Sequence, residues 1–119
     1  MPEIKPTAAI LLEAAVKFLE EELAPTLPAG YFRFQTRVTI NVLNTVRREL
    51  DLRAAQSLAE HERLRALIGR EGELEEMSAE LSERIRGGKI SIDDPALRAH
   101  VRQSLADTLA INNPKWIRL

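Results

Sequence analysis

A chain of 119 residues with 45% hydrophobic and 29% charged positions has room for one ordinary soluble domain, which excludes a disordered chain and leaves no space for a second domain. Seventeen basic against eighteen acidic residues leave a formal net charge of -1, so no global field draws it to nucleic acid or to an anionic membrane. The absence of cysteine removes disulfides, thiolate metal centres, iron–sulfur clusters and thiol nucleophiles together.

The opening stretch MPEIKPTAAILLEAAV is interrupted at Glu13 and lacks the basic start of a signal peptide. No apolar run reaches the ~18 residues needed to span a bilayer, so the expectation is a cytoplasmic protein without a membrane partner. Thr7 stands just before an apolar-periodic run and is the expected N-cap of a first helix. Ile10, Leu11, Ala14, Ala15, Phe18, Leu19 and Leu23 recur at three- and four-residue steps and predict its core-facing stripe. Glu20, Glu21 and Glu22 point in different directions around a helix, which fits a solvated end better than a metal site. Pro25, Pro28 and Gly30 then break the chain.

Residues 31–50 form the expected central helix, with two unlike faces. Phe34, Val38, Val42, Leu43, Val46 and Leu50 share one broad side, with Phe32 at its margin, and are expected to face the core. Arg33, Arg37, Asn41, Asn44 and Arg48 form a row on the other side, at steps of four, four, three and four. Three guanidiniums and two amides on one ridge suit a carboxylate or phosphate of a ligand or partner. The competing reading is a solvated face, which any amphipathic helix requires. Asn is a poor helix former, and two of them on one face favour specific hydrogen bonding.

No Gly or Pro marks the next boundary: Asp51 either caps a new helix or the central helix runs on. Residues 53–68 carry Ala54, Leu58, Leu64 and Ile68 on one side, with His61 beside them and Gly69 as the stop. A lone His on an apolar face reads first as a packed neutral imidazole and second as a catalytic or ligand group. His61-Glu62 does not open a zinc-protease motif, because position 65 is Arg. Residues 73–86 form a helix with Leu74, Met77, Leu81 and Ile85 inward and Glu75, Glu76, Glu80 and Glu83 outward, where they could complement the Arg row within the fold or across a dimer. Gly87-Gly88-Lys89 ends it and lacks the spacing of a phosphate loop.

After the short connector Ile90-Ser91-Ile92, Asp94 is the expected N-cap and Pro95 the first residue of a fifth helix, over 95–111. Leu97, Val101, Leu105 and Leu109 are its expected core side, flanked by His100, Ser104 and Thr108. Asn113-Pro114 stops it, and Trp116 is expected to plug the tail onto the bundle, with ligand stacking as the lesser role. The sum is an all-α fold: a single domain over 1–119, built as a mostly antiparallel bundle of about five helices.

Arg33-Phe34 with Arg37-Val38, Asn41 and Arg48-Glu49-Leu50, then Leu67-Ile68-Gly69, Asp94-Pro95-Ala96-Leu97, and Leu109-Ala110 leading to Asn113-Pro114-Lys115-Trp116 carry a resemblance. Over nearly its whole length the chain resembles an uncharacterised bacterial family, a domain of unknown function of small helical proteins. The connector after Leu50 departs from that family's pattern in lacking helix breakers. The resemblance implies an accessory role beside acyl-CoA dehydrogenase-like proteins and aminoglycoside-phosphotransferase-like kinases, which are often encoded nearby.

The leading functional expectation is a non-enzymatic accessory or interaction protein, dimeric in one version, that binds a partner protein or anionic ligand through Arg33, Arg37, Asn41, Asn44 and Arg48. It has no expected catalytic residue, cofactor or metal. The alternatives are a small enzyme using His61 and His100 as acid–base groups, and nucleic-acid binding through Arg47, Arg48, Arg53, Arg63, Arg65 and Arg70. Acidic residues interleaved through that last region argue against it.

Overall fold

The computed structural model describes residues 7–116. Among them all regular structure is helical, in four α-helices: α1 (Ala8–Lys17), α2 (Tyr31–Ile68), α3 (Leu74–Arg86) and α4 (Pro95–Asn112). The count is four and not five because the central helix does run on. With no Gly or Pro between Tyr31 and Ile68, and good helix formers such as Leu52, Arg53, Ala54 and Ala55 at the expected joint, nothing stops propagation and α2 reaches 38 residues. By its internal contacts the chain divides into two compact units, Met1–Leu52 and Arg53–Leu119, and α2 contributes to both.

In the N-terminal unit, Thr7 caps α1 as expected, its hydroxyl accepting from the Ile10 amide at 3.3 Å. α1 continues into a wide π turn over Phe18–Leu23, where the Ala24 N–H reaches back five residues to the Leu19 carbonyl. The widening directly precedes Pro25, which lacks an N–H and whose ring crowds the carbonyl four residues back. The expected stripe is only partly the covered one. Ile10, Leu11 and Phe18 are exposed, Val16 is buried, and Leu12, Leu19 and Leu23 are half-buried.

The first half of α2 departs further from expectation. The pattern places Phe34, Val38, Val42, Val46 and Leu50 in the core, yet all five are exposed, Phe34 to 64%. The buried residue is Ile40, on the side of the Arg/Asn row, where Leu43, Thr36, Arg47, Arg33 and Asn44 are half-buried around it. The first helical segment meets this side, with Glu20 and Ala24 lying beside Arg37, Ile40 and Asn41. Long Arg stems and Thr methyls tolerate such half-burial with their polar ends in water.

The C-terminal unit has the better core. Leu64, Ile68, Met77, Leu81 and Leu97 are buried together, with Leu67, Leu74, Ile85 and Ile90 packed around them. The stripe of α3 is the expected one, because its period is clean and Gly87-Gly88 end it. In α2, Leu64 and Ile68 are inside but Leu58 is 71% exposed. In α4 the inward side begins at Leu97 as expected and then follows His100, Ser104, Asp107 and Ile111, leaving Val101 and Leu105 exposed. Asp94 caps α4 through the Ala96 and Leu97 amides at 2.8 and 3.2 Å, with Pro95 at the first turn. The expected role of the Trp116 ring lies outside the described side chains. No helix among the described residues is long and apolar enough to cross a membrane.

Candidate functional site

The five residues of the Arg/Asn row divide by what each already binds. Asn44 Oδ1 accepts from Arg47 Nη1 at 3.1 Å, and Arg48 Nη2 donates to the Thr45 hydroxyl at 3.2 Å. Thr45 in turn donates to the Asn41 carbonyl at 2.9 Å, a back-bond that satisfies a hydroxyl inside a helix. Asn44 and Arg48 are therefore tied into the helix surface. Arg33, Arg37 and the Asn41 amide make no side-chain hydrogen bond or ion pair among the described residues, and they stand at i, i+4 and i+8 on one ridge. Arg37 and Asn41, with Ile40, Glu20 and Ala24, line an open cleft of about 380 Å³.

That cleft can hold a planar anion against a guanidinium fork and an amide, with an apolar floor at Ile40. Glu20 is the one acidic residue of its lining.

In the C-terminal unit the two histidines belong to separate contact sets. His61 Nε2 lies 3.1 Å from the Gly72 carbonyl, to which it must donate, and 3.5 Å from Glu71 Oε2. His100 is buried, and its Nδ1 accepts from Arg63 Nε at 3.0 Å, which fixes the neutral tautomer with the proton on Nε2. Burial first, and the Arg63 charge second, hold His100 below the ordinary histidine pKa; Glu60 opposes them. Arg63 also donates to the Ser104 hydroxyl at 3.3 Å and lies 3.9 Å from Asp107 Oδ2. Gln56 donates to the Asp107 carbonyl at 3.1 Å and Gln103 to its carboxylate at 2.9 Å.

This Arg63–His100–Ser104–Asp107 cluster was not picked out from sequence, although the signal was present. His100, Ser104, Asp107 and Ile111 recur at four, three and four, a helical stripe as regular as Leu97, Val101, Leu105 and Leu109, but polar at three of its four positions. Its chemistry is that of a part-buried hydrogen-bonded network around the Arg63–Asp107 ion pair. A cavity of about 90 Å³ beside it, lined in part by Gln56, Glu60, Ser104 and Asp107, has space for little more than water.

The remaining arginines considered for nucleic acid are largely engaged inside the chain. Arg65 pairs with Glu62 at 2.7 Å, Arg70 with Glu80 at 2.6 Å, and Glu80 also with Arg84 at 2.6 Å, while Glu83 takes Arg86. Two of the acidic residues of α3 thus find local partners. Among the described residues no group of three or more His, Asp or Glu side chains is arranged to hold a metal.

A family model described as a domain of unknown function (DUF6285) matches residues 25–116, well over half of the chain. No curated protein and no solved structure matches it.

Proposed function

Since the chain belongs to the DUF6285 family, whose description names no activity, the functional reading rests on its surface, and we propose that it is a cytoplasmic, non-catalytic accessory protein that docks an anionic group of a partner protein on Arg33, Arg37 and Asn41 of α2. One observation carries the reading: these three side chains lack an intramolecular polar partner among the described residues, and two of them line an open cleft. A guanidinium held on a helix and left unpaired is ready to form a bidentate pair with a carboxylate, the geometry in which Arg surpasses Lys. Asn44 and Arg48, part of the same row by spacing, serve the helix surface in this reading.

The test compares retention of a co-purifying partner by the wild type and by an Arg33→Ala, Arg37→Ala double variant. Loss of hydrogen bonds to a charged group, at about 1.5–3 kcal/mol each, weakens binding by at least tenfold while the melting temperature stays within about 2 °C. Glu20→Gln removes the one carboxylate of the lining, which repels an anion, and tightens binding. Undiminished binding by the double variant would overturn the proposal.

A further inference from the structure

The other side of the same stretch of α2 carries a second surface, independent of the cleft. Tyr31, Phe32, Phe34, Val38, Val42, Val46 and Leu50 are each between 38% and 72% exposed, and at about 100° per residue all seven fall within an arc of about 160° centred on Val42. The N-terminal unit that displays them buries only Val16 and Ile40 among its described apolar residues. Soluble proteins seldom leave a contiguous apolar patch of more than a few hundred Å² open to water.

We propose that this face is covered by a second copy of the chain, the two α2 helices meeting antiparallel about a two-fold axis at Val42. Three observations select this occupant. The first is area: with about 200 Å² for each aromatic and about 150 Å² for each aliphatic side chain, the seven exposures leave on the order of 700 Å² per copy, close to the ~800 Å² that each partner of a standard interface buries.

The second is sequence symmetry. An isologous interface demands a surface complementary to itself, so that residues equally far from the axis face each other. The ridge reads Phe34, Val38, Val42, Val46, Leu50, with large residues at both ends and valine in the three middle places. Antiparallel alignment on Val42 brings Phe34 level with Leu50, Val38 with Val46 and Thr39 with Thr45.

Charge is the third. Every arginine between positions 31 and 50 (Arg33, Arg37, Arg47 and Arg48) lies on the opposite half of the helix, and Glu49 is the one ionised residue of that span on the apolar arc. The antiparallel register places Glu49 across from the Gln35 amide of the second copy, whereas a parallel register would set Glu49 beside Glu49.

The decisive experiment uses the full chain, whose natural lack of cysteine makes single-cysteine cross-linking clean. Light scattering after size exclusion is expected to give twice the chain mass at tens of micromolar, falling to one chain mass for Val42→Arg, which sets two charges against each other at the axis. Circular dichroism checks that this variant remains helical. Should it fail to fold, the cysteine set still decides. Val42→Cys forms a disulfide dimer under mild oxidation, because a residue on the axis brings its two Cβ atoms within the ~4 Å a disulfide spans. Gln35→Cys and Glu49→Cys, each within about 20° of the seam, do not cross-link alone and do so when mixed, and Ser78→Cys, exposed on α3, stays monomeric.

A wild type that is monomeric at every concentration overturns the proposal, whether its own C-terminal unit or a different protein covers the face. So does a dimer that Val42→Cys fails to lock, or one that Gln35→Cys locks by itself.

Discussion

Nδ1 of His100 accepts a proton-bearing Arg63 nitrogen, and a protonated ring would have to give that bond up. Because the folded state holds this histidine below its ordinary pKa, near 6.5 in the unfolded chain, the unfolded state binds more protons as pH falls. The stability it contributes is fully present above about pH 6.5 and is lost as pH drops through the folded pKa. Thermal melts are expected to shift downward between pH 7.5 and 5, and His100→Asn, which keeps an acceptor that cannot be protonated, flattens the profile; equal slopes for both proteins would exclude His100 as the cause. In the neighbouring core, Met77→Ala and Leu64→Ala each remove a side chain of 0% exposure and cost about 2–5 kcal/mol, read from urea denaturation. At this scale the sequence was most informative where the physics is local. Thr7 and Asp94 cap helices because a side-chain oxygen reaches an amide two or three residues on, and no tertiary knowledge is needed. Which members of the Arg/Asn row remain unpartnered was not legible, since it depends on the rotamers by which Arg47 and Arg48 reach Asn44 and Thr45.

Amphipathicity reveals that an element has two faces, and α2 and α4 show why it does not name the covered one. In α3 the apolar stripe and the buried stripe coincide, through Leu74, Met77, Leu81 and Ile85. In α4, a polar stripe through His100 and Ser104 turns inward because Arg63 supplies hydrogen bonds from α2, a partner 37 and 41 positions away in the chain. In the first half of α2, Ile40 is covered and Val42 is not, even though hydrophobicity alone ranks the Val42 side higher. The continuity of α2 makes its own prediction. Were a helix to begin after a cap at Asp51, proline at position 52 would occupy the first turn and cost little. In an unbroken helix Leu52→Pro removes an internal hydrogen bond and clashes with the carbonyl of residue 48, costing about 3 kcal/mol. Its helicity by circular dichroism should fall well below that of Leu52→Ala.

The two units of the molecule are unequally supplied with core. From Arg53 onward, helices α3 and α4 and the end of α2 bury Leu64, Ile68, Met77, Leu81, Leu97 and Ile111, whereas up to Leu52 the described buried apolar residues are Val16 and Ile40. Amide hydrogen exchange is expected to register the difference: protection over 64–81 should be independent of protein concentration, and protection over 31–50 should rise with it if a second copy completes that unit. Concentration-independent exchange in both segments would count against self-association. The inequality also has an order in time. The poorly supplied unit is synthesised first, before any residue of the better-cored unit that begins at Arg53. Once it has emerged, the ridge from Phe34 to Leu50 meets water until a neighbour covers it, the kind of apolar segment that chaperones hold and that aggregates when they are outpaced.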